Sequence, residues 1–264
     1  MFNNAYDDFS QDYDRFVNWE ARLSAEIPFI ENQLGLIKHK GDQPLSVLDA
    51  ACGTGMHAIE LARRGYYASG ADLSSGMIAV AQRNASKAGV EVPFKNVGFK
   101  ELHNSFNQEN AFPFDAILCL GNSLPHLITK ADLREALLDF SACLRPGGML
   151  LLQNRNFDAV MAEHDRWMEP QYYREDKYEW LFLRFYDFDA DGLITFNIVR
   201  LKRKDENPWT QAISSSRLYP LTQKKLVGLL EDSGFNDIQC FGMMKDSAFD
   251  IAFSENLVIR TIRS

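Results

Sequence analysis

Two glycines and an aspartate in the first third of the chain have the spacing of a site for an adenosine-containing ligand. Gly53 and Gly55 lie between an apolar strand pattern and a helical one. Small residues at such a junction let the backbone approach a ligand closely, and the following helix offers N–H groups. Asp72 ends the next strand pattern, where its carboxylate can accept hydrogen bonds from both ribose hydroxyls. Gly53, Gly55 and Ala58 also fit the dinucleotide fingerprint, so NAD is one candidate.

Asp49 distinguishes between the two adenosine cofactors that this loop can serve. It ends the first strand pattern, four residues before Gly53, where it would face the pyrophosphate of NAD. Like charges about 4 Å apart repel by several kcal/mol at partly buried sites. S-adenosylmethionine has no phosphate and brings an ammonium and a sulfonium, which a carboxylate attracts. We therefore predict S-adenosylmethionine as the cofactor; the alternative role for Asp49 is a hydrogen bond to the following loop.

Alternating strand and helix patterns position this loop. Between about Leu45 and Asn154, short apolar runs alternate with segments whose apolar residues recur at helical spacing. This alternation predicts a parallel sheet with helices on both faces. The predicted strands are 46–50, 67–72, 92–97, 114–118 and 149–153, and the predicted helices are 56–64, 75–88 and 130–144. Pro146-Gly147-Gly148 is expected to break the chain before the last of these strands.

After Asn154 the pattern changes to long strands without helices between them. Turn signals separate these strands, so we predict an antiparallel ribbon inserted into the α/β domain. The predicted strands of the ribbon are 179–187, 193–203 and 212–219. A helix at 222–233 follows, with Thr222 as N-cap candidate and Gly234 at its end, and two closing strands finish the chain at 237–243 and 257–263.

We expect a single domain over residues 1–264 with four parts. These are a helical cap at 1–44, a cofactor-binding half at 45–154, an inserted antiparallel lid at 165–220 and closing elements at 221–264. The cap is rich in aromatic residues, which are Tyr6, Phe9, Tyr13, Phe16 and Trp19.

The composition is that of an ordinary soluble globular protein. A net charge of −8 argues against a general surface for nucleic acid or anionic membranes. The apolar runs are shorter than a membrane span, the N-terminus lacks the apolar core of a signal peptide, and the four cysteines lack metal-ligand spacing. We therefore expect a cytoplasmic protein with a small-molecule partner, no metal, no nucleic-acid or membrane partner, and a possible homo-oligomeric state.

Two further motifs are more specific than the glycine loop. They are Cys119-Leu-Gly-Asn-Ser-Leu-Pro-His126 after the fourth strand and Asn154-Arg-Asn-Phe-Asp158 after the fifth. With these motifs the chain, from about Tyr13 to Arg263, resembles class I S-adenosylmethionine-dependent methyltransferases, and within that class the glycine and sarcosine N-methyltransferases. The resemblance implies a Rossmann-like seven-stranded mixed sheet with helices on both faces and a lid over the substrate.

The resemblance also implies which residues contact the cofactor. Arg22 would pair with the cofactor's carboxylate, and Met77 would pack on the adenine, with core packing as the alternative. Gly98 departs from the pattern, because many members of the class have an acidic residue there. The full implied set is Tyr13, Trp19, Arg22, Asp49, Ala51, Gly53, Gly55, Asp72, Leu73, Met77, Gly98, Phe99, Leu120, Gly121, Asn122, Ser123 and His126.

The acceptor site is implied by the same two motifs. Asn122 and Arg155 match residues that hold the acceptor's carboxylate in the glycine methyltransferases. His126 is a cofactor contact, a general base or a structural hydrogen-bonding residue, and we favour the contact. We list Asn122, Arg155 and His126 as the candidate catalytic residues. Three tyrosines are weaker candidates for closing over the site, namely Tyr172, Tyr173 and Tyr219.

The function predicted from these residues is transfer of a methyl group to a small amine or amino acid, with S-adenosylhomocysteine as product. The reaction would be an in-line displacement, in which alignment of the two reactants contributes roughly 7–11 kcal/mol. Two alternatives stay open at this point. One is an NAD-dependent oxidoreductase, and the other is a non-enzymatic module that binds the cofactor.

Overall fold

The computed structural model describes residues 3–38, 43–109 and 111–264. The strands are β1 (Ser46–Asp49), β2 (Tyr67–Asp72), β3 (Phe94–Asn96), β4 (Phe114–Cys119), β5 (Leu144–Arg155), β6 (Gln171–Glu175), β7 (Tyr178–Phe188), β8 (Ile194–Lys204), β9 (Thr210–Leu218), β10 (Phe235–Met243), β11 (Lys245–Ala248) and β12 (Asn256–Arg263). The helices are α1 (Asn3–Phe16), α2 (Trp19–Leu34), α3 (Met56–Arg63), α4 (Ser75–Ala88), α5 (Leu102–Phe106), α6 (Lys130–Cys143), α7 (Phe157–Glu163) and α8 (Gln223–Glu231), with a 3-10 turn at Leu124–His126. None of these helices is long and apolar enough to cross a membrane.

The main sheet has the order β11-β10-β12-β5-β4-β1-β2-β3. The five strands β1 to β5 are parallel, whereas β12 runs antiparallel to both β5 and β10. The seven expected strands are therefore present in the predicted mixed, Rossmann-like arrangement, and β11 adds a short eighth strand at one edge. The carboxyl ends of β1, β2, β4 and β5 meet at one edge of the sheet, where ligands lie in this architecture.

One prediction about this sheet is wrong. β5 begins at Leu144 and runs through Pro146-Gly147-Gly148, instead of starting after it. Its pairing with β4 shifts between Phe114, opposite Leu144, and Ala116, opposite Met149. A bulge accommodates the extra residues, and Gly147 adopts the left-handed φ of +74° within it.

The predicted ribbon is a separate four-stranded antiparallel sheet of order β6-β7-β8-β9, which we call the lid. Its strand β6 was not predicted. Alternate residues of β7 point toward the main domain, and Trp180, Phe182 and Tyr186 are buried there. Phe16 of α1 packs against Phe182 with ring centroids 5.4 Å apart, so the N-terminal helices and the lid share a boundary.

The N-terminal part of the chain forms the helices α1 and α2. Residues 1–2 and 39–42 of the predicted cap lie outside the described residues, as do the side chains of Tyr6 and Phe9. Two apolar clusters pack against opposite faces of the main sheet, one including α6 and α8, the other including α2 and α3. Thr222 precedes α8, but its side chain makes no capping hydrogen bond. Asp158 Oδ2 accepts from the Gln223 N–H at 2.7 Å instead.

Candidate active site

The glycine loop between β1 and α3 is closed by the carboxylate at the end of β2. Gly53 and Gly55 both have left-handed φ angles, of +53° and +81°. The Gly53 N–H donates to Asp72 Oδ2 at 2.8 Å, and the Ser74 N–H donates to Asp72 Oδ1 at 2.9 Å. The Asp72 carboxylate therefore joins the glycine loop to the turn that follows β2.

Asp49 is a buried carboxylate that the protein satisfies only in part. The side chain is 2% exposed, the backbone of Ala51 hydrogen-bonds the carboxylate, and Oδ1 finds no hydrogen-bond partner in the described part of the chain. Burial raises the pKa of Asp49 to about 6. The predicted alternative, a bond to the following loop, is therefore present, and it leaves one oxygen available to a cation.

The helices α1 and α2 are joined to this loop by Asp14, which sequence reasoning missed. Asp14 Oδ1 accepts from Trp19 Nε1 at 2.8 Å and from Thr54 Oγ1 at 2.6 Å. Asp14 Oδ2 accepts from Asn84 Nδ2 at 3.0 Å. The indole of Trp19 is thereby fixed near the loop by its N–H group.

Tyr13 lies over the glycine loop, and Arg22 lies beside Tyr13 and Gly121. Tyr13 Cε1 is 3.8 Å from the position that a Cβ on Gly53 would occupy. Arg22 donates a hydrogen bond to the Tyr13 hydroxyl, although burial still raises the pKa of Tyr13. Arg22 Nη2 is 3.7 Å from the corresponding position on Gly121, at the end of β4.

A buried network of polar side chains holds Arg22 in place. Glu26 Oε2 accepts from Arg22 Nε at 3.1 Å and is 2.7 Å from His57 Nε2. Gln153 Nε2 donates to Glu26 Oε1 at 3.2 Å, and Gln153 Oε1 accepts from the Gly121 N–H at 3.1 Å. Burial alone would raise the pKa of Glu26, but the hydrogen bonds and charges of His57 and Arg22 lower it to about 2.

The two specific motifs meet where β4 and β5 end. Asn122 has a left-handed φ of +67°, and its Oδ1 accepts from the Arg155 N–H at 3.0 Å. The Asn122 N–H donates to the Gln153 carbonyl at 3.0 Å. Arg155 reaches the lid, where it donates a hydrogen bond to the Tyr186 hydroxyl. Burial raises the pKa of Tyr186 to about 12.

His126 ends the 3-10 turn that follows Asn122. Burial lowers its pKa to about 4, so the imidazole is neutral at pH 7. The Tyr219 N–H donates to the Pro125 carbonyl at 2.7 Å, which ties the end of the lid to this turn. Tyr172 lies on β6 and is 59% exposed, and Tyr173 beside it packs on Trp180 at 5.9 Å.

Known proteins are similar to this chain in sequence and in fold. A methyltransferase domain family matches residues 47–148. The glycine/sarcosine N-methyltransferase of Aphanothece halophytica is 30% identical over 250 residues, 93% of this chain and 85% of that protein. The chain belongs to the class I S-adenosylmethionine-dependent methyltransferases. It is therefore an enzyme that uses S-adenosylmethionine as its cofactor.

Two solved structures show the same fold for this methyltransferase. An S-adenosylmethionine-dependent methyltransferase from Clostridium acetobutylicum superposes with a TM-score of 0.77 at 18% identity, covering 99% of this chain and all of that one. A sugar N-methyltransferase from Streptoalloteichus superposes with a TM-score of 0.75 at 18% identity, covering all of this chain and 94% of that one. Both matches extend over the lid as well as the main sheet.

The residues present fit the cofactor of this methyltransferase. The buried Oδ1 of Asp49 lacks a partner among the described residues, and an ammonium would supply one. The short residues of the glycine loop are required by the packing, because a Cβ on Gly55 would lie 2.7 Å from Phe94 Cζ. Asp72 holds the loop in place by accepting from the Gly53 and Ser74 N–H groups.

The remaining residues of the predicted cofactor set in this methyltransferase differ in burial and in what they contact. Met77 and Leu120 are buried at 2% and 4% exposure, and Phe99 packs edge-on against Phe140 at 5.3 Å. Leu73 is 52% exposed, and its Cδ1 lies 2.9 Å from the position of a Cβ on Gly98. Gly98 thus leaves room for Leu73. The Ser123 hydroxyl donates to the Leu120 carbonyl at 2.8 Å and shapes the turn.

Proposed function

We propose that this methyltransferase transfers a methyl group to the amino nitrogen of a small amino acid. The observation that carries the proposal is the junction of Asn122 and Arg155 beneath the lid, with the Nε of Arg155 buried and without a hydrogen-bond partner in the described residues. A buried guanidinium is well shaped to bind a carboxylate. The likeness to glycine/sarcosine N-methyltransferases over 93% of the chain supports the same acceptor class.

On this proposal, residues at the ends of the parallel strands hold the cofactor. Asp72 accepts hydrogen bonds from its ribose hydroxyls while it keeps the Gly53 loop closed. The free oxygen of Asp49 binds its ammonium, and Arg22, held by Glu26, binds its carboxylate. The cofactor supplies a methyl group that is already activated by the positive sulfonium.

The acceptor's amine must be neutral to attack. Two features of the chain favour loss of its proton. The charge of Arg155 lowers the pKa of a nearby ammonium, and burial under the lid disfavours the charged form. His126, with a pKa of about 4, is a neutral contact and too weak a base to compete for that proton. Asn122 holds the backbone of Arg155 in place. On this proposal, catalysis depends on alignment of the two reactants more than on a dedicated base.

The test is methyl transfer from labelled S-adenosylmethionine to glycine, sarcosine and larger α-amino acids, with neutral primary amines as comparison. We expect turnover of at least one amino acid with kcat/KM more than tenfold above that of the neutral amines. Arg155→Met should lose this preference while still binding S-adenosylhomocysteine. Turnover of neutral amines alone, or of no amino acid, would overturn the proposal.

A further inference from the structure

A second arginine, half-buried, lies on the lid face that points toward the main domain. Arg184 lies on β7 between Phe182 and Tyr186, and all three residues belong to the face that points toward the main domain. Its guanidinium packs on the Phe16 ring, with Cζ 5.0 Å from the centroid. Its Nε is buried and, across the described ranges, has no hydrogen-bond partner.

Arg184 and Arg155 come close to one another from opposite sides of the site. Arg155 donates a hydrogen bond to the Tyr186 hydroxyl, and Arg184 lies two residues before Tyr186 on the same face of β7. The positive charges of both arginines lower the pKa of Tyr186 against the effect of its burial. Burial and the neighbouring charge of Arg155 lower the pKa of Arg184. The Phe16 ring that the Arg184 guanidinium covers lies 6.0 Å from the ring of Tyr13, so this guanidinium is on the side of the lid that faces the glycine loop. The negative charge of Asp165 raises the pKa of Tyr186, but Asp165 is exposed to water.

The other arginines of the lid are differently placed. Arg174 is exposed to water. The rest form ion pairs with aspartate or glutamate, namely Arg166, Arg200, Arg203 and Arg217. Two like charges that are partly removed from water without a counter-ion are unfavourable for the folded protein. An anion bound between the two arginines would offset that cost.

We propose that Arg184 is an acceptor-binding residue contributed by the lid, and that it holds the acceptor's carboxylate jointly with Arg155. This inference rests on the proposed function and narrows its substrate class to amines that carry a carboxylate. A carboxylate bound to both arginines joins the lid to the end of β5. An acceptor that carries a carboxylate therefore holds the lid over the site. Neutral amines have no carboxylate to bind both arginines, so the enzyme discriminates against them.

The first experiment measures binding without catalysis. Acetate and its neutral counterpart acetamide are titrated into the complex of the enzyme with S-adenosylhomocysteine, followed by tryptophan fluorescence. We expect acetate to bind the wild type at least tenfold more tightly than acetamide, and Arg184→Met to lose that difference. Arg184→Lys should recover part of it. Arg217→Met, on the same sheet but in an exposed ion pair with Asp191, is the matched control and should bind acetate normally.

The second experiment separates acceptor binding from the rest of catalysis. With the amino acid that the wild type methylates best, Arg184→Met should raise its KM at least tenfold, whereas the KM of S-adenosylmethionine should stay close to wild type and the thermal midpoint should not fall, because the variant loses an unfavourable charge. An unchanged acceptor KM and unchanged acetate binding in Arg184→Met would overturn this inference alone. Wild-type turnover restricted to neutral amines would instead overturn the proposed function.

Discussion

The Arg155 N–H donates to Asn122 Oδ1 at 3.0 Å, and this hydrogen bond joins the ends of β4 and β5. Asn122 makes the bond from a left-handed backbone with φ of +67°. Asparagine tolerates that conformation better than most residues, because its short polar side chain can hydrogen-bond locally. One residue therefore supplies both the turn after β4 and the support for Arg155.

Substitutions of Asn122 should separate these two roles. Asn122→Ala removes the hydrogen bond and places a Cβ in the left-handed region, which costs about 1–2 kcal/mol. Asn122→Gly removes the same bond without that strain. We expect both variants to raise the acceptor KM at least tenfold, while urea denaturation shows Asn122→Ala to be less stable than Asn122→Gly. Equal stabilities would contradict the role of the backbone conformation.

Asp72 should be required for cofactor binding in two separable ways. Asp72→Ala removes the acceptor of the Gly53 and Ser74 N–H groups as well as the proposed ribose contact. Asp72→Asn keeps one oxygen acceptor for the loop. Hydrogen bonds to a charged group contribute about 1.5–3 kcal/mol each, so we expect Asp72→Ala to weaken S-adenosylhomocysteine at least 100-fold. Calorimetric titration measures this, and Asp72→Asn should fall between Asp72→Ala and the wild type.

The ionised Asp49 should lower the free energy of unfolding of the cofactor-free protein and raise its affinity for the cofactor. Its pKa is raised from 3.8 to about 6, so ionisation costs the folded state up to about 3 kcal/mol as the pH rises from 3.8 through 6. Asp49→Asn removes that cost. We expect this variant to be more stable than the wild type at pH 8, equally stable near pH 4, and at least tenfold weaker for S-adenosylhomocysteine at pH 8.

The same carboxylate should give cofactor binding a pH dependence. A bound ammonium favours the ionised form of Asp49, so binding is strongest above about pH 6 and weakens by up to tenfold per pH unit below it. Asp49→Asn should flatten this profile. A wild-type affinity that is constant between pH 5 and pH 8 would rule out Asp49 as the group that binds the ammonium.

The main sheet was predictable because its signals are local. Apolar periodicity placed β2 and α4 at their observed bounds, and most other elements came within two residues of theirs. The helices α5 and α7 were not predicted. The helix α5 depends on a distant residue, since Asp139 accepts from the Leu102 and His103 N–H groups. The bulge at Pro146-Gly147-Gly148 depends on the register between β4 and β5, which no local pattern reveals.

The positions of candidate site residues were predictable for residues that belong to a sequence motif. They were not predictable for residues outside a motif that contact the motif residues. Asp49, Asp72, Asn122 and Arg155 belong to contiguous motifs at strand ends. Glu26 and Arg184 have no such context, because a glutamate in a helix and an arginine in a strand usually face water. Their burial follows from the topology, which brings α2 and β7 against the ends of the parallel strands.

Glu26 should be the main polar support of the site. Its pKa is lowered from 4.5 to about 2, which stabilises the folded protein by about 3 kcal/mol above pH 4.5 and is lost as the pH falls toward 2. Glu26→Gln should therefore lower the free energy of unfolding by about 2–3 kcal/mol at pH 7, and its stability should decline less steeply than that of the wild type between pH 4.5 and pH 2.

The control for this prediction lies on the same helix. Glu31 pairs with Arg64 at the surface, with Oε2 and Nη1 2.8 Å apart. Exposed ion pairs contribute about 0–1 kcal/mol, so Glu31→Gln should change stability little. Because Glu26 also holds Arg22 at 3.1 Å, Glu26→Gln should weaken S-adenosylhomocysteine binding, and Glu31→Gln should not. A Glu26→Gln protein as stable as Glu31→Gln at pH 7 would show that the buried network does not support the fold.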